Sequence, residues 1–293
     1  MIFLCSVIFV LLLVSINDFF LVFYIVVAIS LGLYGLILIN LPVFANTPEA
    51  GAKYFLLSVT SVGLMFGGVK ELYLFAGHLN FSIVRTIIVE TILNSTLYEE
   101  LFIIKFTVVF IAVGFFFKLA AAPNHFWAAE VYSSLPYELL LFFVVPVKLT
   151  FSLVFFKIMK SIFFIFHIND NLNFILYNEY EFILSFVIVS SMIIGSLNAI
   201  FEQNIRKFVA YSSVNQIGFL LIGFLGFKSI FFCFESFIFF VAIYFVNLFL
   251  FLFLLSEIAQ TFYIPFGAIQ ELFNPHFTKV VIKESFTKYY LSV

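Results

Sequence analysis

Charge is what this sequence has least of: Asp, Glu, Lys and Arg make up only 10% of its 293 residues, and the net charge is −2. A soluble domain carries about a quarter charged residues, so that class is excluded. The lack of a basic excess gives no support for a nucleic-acid partner, and none is expected. Cysteine is almost missing as well. Cys5 and Cys233 both lie in apolar runs, which leaves neither a disulfide framework nor a thiolate metal site. No glycine-rich phosphate loop, iron–sulfur cysteine cluster or haem-spaced histidine pair occurs, so any electron transfer belongs to another chain. The N-terminus lacks a basic leader and a small-residue cleavage site. Met1–Val14 therefore reads as a retained span, and with no transit peptide the chain fits synthesis inside the organelle that uses it.

What is present is apolar. Hydrophobic residues reach 64%, Phe alone occurs 48 times, and the mean hydropathy is +1.20. The Phe excess fits an A+T-biased organelle genome. Runs of about 20 apolar residues, the length that crosses a bilayer, fall near 1–16, 19–40, 54–76, 101–121, 135–157, 182–200, 208–227 and 230–256. In lipid only helices and closed barrels satisfy the backbone, and runs this long and continuous are helices. The expectation is an all-α polytopic transmembrane bundle over 1–257, with a tail over 258–293 that holds an amphipathic interfacial helix near 276–290. Polar connections are expected at Asn46–Glu49, at Asn169–Asn171 and at the charged turn Glu202–Lys207. The stretch from Arg85 to Glu100 holds a short apolar run along the interface.

Two cations interrupt the apolar runs, Lys118 and Lys148. A charge at mid-membrane costs roughly 2.5–3.5 kcal/mol or more, and such residues face a bundle interior and serve ion or proton movement. Pro123 follows Lys118 by five residues and predicts a broken helix there. Broken helices in membranes expose backbone groups that hold water or ions. Desolvation disfavours the charged form of a lysine, which suits it to carry a proton reversibly. The competing account of Lys118 is snorkelling from a helix end. Lys148, apolar on both sides and two residues after Pro146, is harder to explain that way. His125 reads equally as a titratable relay and as a packed ring beside Trp127. Lys105 reads as snorkelling or ion-paired, Glu130 and Glu138 as solvated or salt-bridged, Lys157 and Lys160 as interfacial anchors, and Glu235 as a weaker intramembrane acid near the start of its span.

The order of these residues carries a resemblance. Phe117-Lys118-Leu119-Ala120-Ala121-Ala122-Pro123-Asn124-His125-Phe126-Trp127, then Glu130-Val131-Tyr132, Pro136 and Lys148, resembles the signature of the subunit 2 family of NADH dehydrogenase. Thr47-Pro48-Glu49-Ala50-Gly51-Ala52-Lys53-Tyr54-Phe55 and Asn204-Ile205-Arg206-Lys207-Phe208-Val209-Ala210-Tyr211-Ser212-Ser213 are similar to two further segments of that family, in the same order. Two departures stand out. The glutamate that the family carries in the helix after Asn17-Asp18-Phe19 is missing from Val26-Val27-Ala28-Ile29-Ser30. Gln216 stands where the family often has histidine.

The resemblance implies an antiporter-like fold and a proton-translocating membrane-arm subunit of respiratory complex I, NADH:ubiquinone oxidoreductase. Lys118 and Lys148 would be its relay lysines, with His125 beside them and Pro123 at the break. It implies no redox centre on this chain, with FMN, iron–sulfur clusters and ubiquinone on other subunits. Partners would be other membrane-arm subunits, lipids, and separate chains that supply helices missing before the first span and after Asn274-Pro275-His276. The implied location is the mitochondrial inner membrane, with the gene in the organelle. A multi-subunit cation/proton antiporter shares the lysine signature, and a structural scaffold with an inactive channel is a further alternative.

Overall fold

The chain is a bundle of helices in a computed structural model that describes residues 1–39, 47–94, 98–163, 170–225 and 230–261. The helices are α1 (Ile2–Ser15), α2 (Phe19–Ile39), α3 (Thr47–Ala76), α4 (Phe81–Asn94), α5 (Tyr98–Leu119), α6 (Phe126–Ser133), α7 (Tyr137–Phe142), α8 (Lys148–Phe163), α9 (Asp170–Phe201), α10 (Ile205–Leu225) and α11 (Ile230–Thr261). A π-helical turn, Phe143–Val147, joins α7 to α8 into one rod. Each expected apolar run coincides with a helix. Among the described residues, five segments are long and apolar enough to cross a membrane: Phe19–Ile39, Pro48–Ala76, Phe102–Leu119, Tyr137–Ile162 and Tyr180–Phe201. The tail from residue 262 lies outside the described residues, and with it the helix expected near 276–290.

Four boundaries differ from the sequence reading. α3 begins at Thr47, because Pro48 has a fixed φ suited to a first helical turn and gives up only a donor that would be orphaned there. The stretch after Arg85 is not a loose connection: Phe81–Asn94 is helical, and Val84 and Ile88, four apart, bury one face of α4. α9 starts at Asp170 instead of near 182, so Asp170 and Asn171 open a helix where a connection was expected. The turn before α10 is shorter than expected: α10 starts at Ile205, so Arg206 and Lys207 already lie in the helix. Asn204 Oδ1 accepts from the Arg206 amide at 3.0 Å, a side-chain cap for the helix start.

Close approaches set the bundle's geometry. α3 runs along α5, and α9 along α10. At Gly114 an added Cβ would lie 2.1 Å from Met65 Cγ and 2.9 Å from the Ser61 carbonyl oxygen, so only glycine lets α5 sit this near α3. Small residues at such crossings are how membrane helices approach when no hydrophobic effect drives them together. The starts of α2 and α4 are stitched by backbone bonds from Phe19 to Leu79 and from Phe81 to Asn17, 2.9 Å each. Lys157 does more than anchor at an interface: its Nζ donates to the Val14 carbonyl, one of the unpaired acceptors at the end of α1. Outward faces carry exposed Leu4, Leu11, Phe102, Phe182, Ile200 and Leu254, as suits contact with acyl chains.

Candidate functional site: two buried lysines at helix discontinuities

α5 ends one residue after Lys118. Ala120 takes a left-handed φ of 59°, the Ala120 amide bonds the Phe117 carbonyl at 3.2 Å, and the Ala121 amide bonds the Phe116 carbonyl at 2.9 Å. These bonds close the helix with a left-handed cap. The chain therefore leaves the helix before Pro123, which lies exposed in the connection. Polar atoms around the break find side-chain partners. Trp127 Nε1 donates to the Phe117 carbonyl at 3.0 Å, Ser190 Oγ to the Ala122 carbonyl at 3.2 Å, and His125 Nδ1 lies 3.2 Å from the Pro123 carbonyl. The carbonyls of Phe117, Ala122 and Pro123 at the break thus each meet a side chain.

Lys118 is 5% exposed and Lys148 2%, so neither snorkels. Lys118 Nζ donates to Ser30 Oγ at 2.6 Å, and that hydroxyl donates in turn to the Val26 carbonyl at 2.6 Å. Lys148 Nζ donates to Ser213 Oγ at 2.7 Å, which donates to the Ala210 carbonyl at 2.7 Å. The two sites share one design: a buried amine, one serine, one helix carbonyl. Among the described residues no carboxylate pairs with either lysine. Lys148 also lies 5.4 Å from the centre of the Tyr132 ring, within cation–π range.

Lys148 follows directly on the π turn. Pro146 sits inside that turn and lacks the amide that a regular helix would use. The Val144 carbonyl is taken by Tyr244 Oη from α11 at 2.8 Å. Each lysine therefore lies beside an interruption of its helix, one at a break and one at a π turn. An aromatic row runs from one site to the other. Tyr54, against Ser30, meets Trp127 at 5.4 Å, and Trp127 meets Tyr132 at 6.0 Å.

Residues 16–269 match the family described as NADH:quinone oxidoreductase/Mrp antiporter, TM. The chain belongs to that family. The NADH-quinone oxidoreductase subunit N of Pelagibacter ubique (strain HTCC1062) is 35% identical over 211 residues, which are 72% of this chain and 40% of that protein. A chain of respiratory complex I from Thermus thermophilus superposes with a TM-score of 0.61 at 21% identity, over 84% of this chain and 49% of its own length. A chain of the Mrp complex from Dietzia sp. DQ12-45-1b gives 0.57 at 19% identity, over 78% and 40%. The chain thus spans about two-fifths of the length of the curated relatives it matches. It is a multi-pass membrane protein with the antiporter fold.

Within this NADH:quinone oxidoreductase/Mrp antiporter architecture the other sequence-marked residues fall into place. His125 is buried beside the start of α6, its ring 4.9 Å from Phe126 and 6.4 Å from Tyr211, and its hydrogen bond goes to the Pro123 carbonyl and not to either lysine. Glu130 pairs with Lys53 at 2.5 Å, and Lys53 also binds Glu49 at 2.8 Å, tying α3 to α6. Arg206 is buried, with Nη1 on the Ser133 carbonyl at 3.1 Å and its guanidinium 5.0 Å from the Tyr137 ring centre. Glu235 and Glu138 are exposed and Lys105 half-buried. Gln216, one helical turn beyond Ser213, buries an Oε1 with no protein hydrogen-bond partner. Sequence reasoning missed Ser30 and Ser213. Ser213 lies in the Tyr-Ser-Ser segment, but nothing marks which of its serines faces a lysine.

Proposed function

We propose that this chain is a proton-translocating membrane-arm subunit of a respiratory complex I, a part of NADH:ubiquinone oxidoreductase with no redox centre of its own. The observation that carries this reading is the pair of buried lysines, each bonded to a neutral serine beside a helix discontinuity. A charge so placed is expensive and suits a functional role. Held by a hydroxyl instead of a carboxylate, the amine can take up or give up a proton without breaking an ion pair. A serine accepts from an ammonium and, by turning, donates to a free amine. Lys118 and Lys148 are the proton carriers, Pro123 marks the break, and His125 lies near it without a direct bond to either lysine.

FMN, iron–sulfur clusters and ubiquinone belong to other subunits. Other membrane-arm subunits and lipids surround the chain, and the complex sits in a mitochondrial inner membrane with this gene in the organelle. The test is proton pumping per NADH oxidised by the complex in sealed vesicles. Lys118→Ala or Lys148→Ala should lower that ratio, and an unchanged ratio in both variants defeats the reading. Native-gel separation with in-gel NADH oxidation and mass spectrometry tests the partners: the chain should migrate in the active band together with other membrane-arm subunits.

A second reading, a subunit of a cation/proton antiporter, is favoured by the fold shared with the Mrp chain. Sodium-dependent transport without quinone reduction would select it.

A further inference from the structure

A small cavity opens beside Lys118, between α3 and α5. It is lined by Tyr54, Leu57, Ser58, Ser61, Phe117, Lys118 and Trp127, and offers about 10 Å³ to the centre of a water molecule. That is about the space one water needs, provided two to four polar partners surround it.

The donors and acceptors of the lining can be counted. Ser58 Oγ donates to the Phe55 carbonyl at 2.9 Å and Ser61 Oγ to the Ser58 carbonyl at 2.7 Å. With their hydrogens committed to their own helix, both hydroxyls have only lone pairs left to offer. The Trp127 N–H is spent on the Phe117 carbonyl. Leu57 and Phe117 close the sides with apolar surface. Lys118 brings three N–H bonds as an ammonium, one of them used on Ser30. The Tyr54 hydroxyl is engaged with Ser30. The lining therefore leaves two serine acceptors and one donor group, the Lys118 amine, for a guest, and holds no anion. A water fits that set: it accepts from Lys118 and donates to Ser58 and Ser61. A metal cation does not, because the nearest charge would be the lysine's own.

Resting on the reading of Lys118 as a proton carrier, we propose that one water held by Ser58 and Ser61 is the immediate proton partner of Lys118, while Ser30 holds the amine in place. In the step, an Nζ–H bond of the ammonium breaks and its electron pair stays on nitrogen as the free amine's lone pair. The proton bonds the water oxygen and makes a hydronium, which hands a proton to a further water and returns to water. Loading runs the same steps backwards. Ser58 and Ser61 are positioning residues here, since they act through the water.

The experiment uses the assembled complex in vesicles and compares Lys118→Ala, Ser61→Thr and the double variant Ser58→Ala/Ser61→Ala. Alanine is a better helix former than serine, and pumping is normalised to assembled complex. The double variant should lose as much proton pumping per NADH as Lys118→Ala, and Ser61→Thr, which keeps the hydroxyl, should retain it. Loss in Lys118→Ala with full pumping in the double variant overturns the water site and leaves the carrier reading standing. Full pumping in Lys118→Ala overturns the carrier reading itself. A second measurement separates a lost water from a disturbed fold: infrared difference spectra in water labelled with oxygen-18. A label-sensitive O–H band should appear in the unsubstituted chain and vanish in the double variant. The same band in both, or in neither, overturns the proposal.

Discussion

Gly195→Ala tests whether Lys148 depends on the crossing of α9 and α10. A Cβ at Gly195 would meet the Asn215 amide nitrogen at 2.6 Å and Asn215 Cα and Cβ at 2.9 Å. Favourable contacts lie at about 3.5–4.0 Å, so the added methyl needs close to an ångström more room. Two of the atoms it meets are backbone, and no rotamer change relieves them. Overpacking of this kind costs about 1–3 kcal/mol, against a gain of about 1 kcal/mol in helix propensity on replacing glycine. The net is a loss of up to about 2 kcal/mol. Gly63→Ala is the control, because a Cβ there meets nothing within 4 Å and the propensity gain stands alone. The displaced α10 carries Ser213, whose 2.7 Å bond to Lys148 lengthens in step. Thermal unfolding of the solubilised complex should place Gly195→Ala below the unsubstituted chain and Gly63→Ala at or above it. Pumping should fall only in Gly195→Ala. If the two variants have the same midpoint, the close crossing is not what holds α10 in register.

Other perturbations follow the same reasoning. Ser213→Ala removes the serine that Lys148 donates to, and a hydrogen bond to a charged group is worth about 1.5–3 kcal/mol. The midpoint should fall by that equivalent, with Ser213→Thr restoring it. Tyr244→Phe leaves the Val144 carbonyl without its side-chain donor, a loss of about 1–3 kcal/mol if it stays buried, and hydrogen exchange in Phe143–Val147 should quicken. Ala120→Val puts a β-branched residue at a φ of 59°, where non-glycine residues already cost about 1–3 kcal/mol. Assembly of the complex, read on a native gel, should drop sharply, whereas Ala120→Gly should assemble normally.

Much of the bundle is legible in the sequence because lipid leaves the backbone few choices: an unbroken apolar run of membrane-spanning length is a helix. The lysines are legible because charge is so rare here that each instance stands out, and Pro123 flags the break within a few residues. The missing pieces depend on contacts far apart in the chain. Lys118 reaches Ser30 across 88 residues and Lys148 reaches Ser213 across 65, and serine is too common in these helices to mark its own role. The cap at Ala120 is hidden because alanine, unlike glycine, gives no hint of a left-handed turn. The π turn is half legible: Pro146 announces a disturbance, but not that a tyrosine of α11 completes it. α4 escaped notice because 14 residues are too few to span a bilayer, so its periodicity read as a surface segment.

The serine between each lysine and its helix carbonyl has only one hydrogen to give. While Lys118 is an ammonium, Ser30 spends that hydrogen on Val26, and Ser213 spends its own on Ala210 beside Lys148. Once the amine loses its proton, its lone pair becomes the stronger claimant and the O–H turns toward it, leaving the carbonyl to its backbone partner alone. Each serine is thus a one-bond rotor, and each proton taken or lost at a lysine is registered as a change at one carbonyl, on α2 for the first site and on α10 for the second. Two helices that carry neither relay lysine would still sense the occupancy of both carriers.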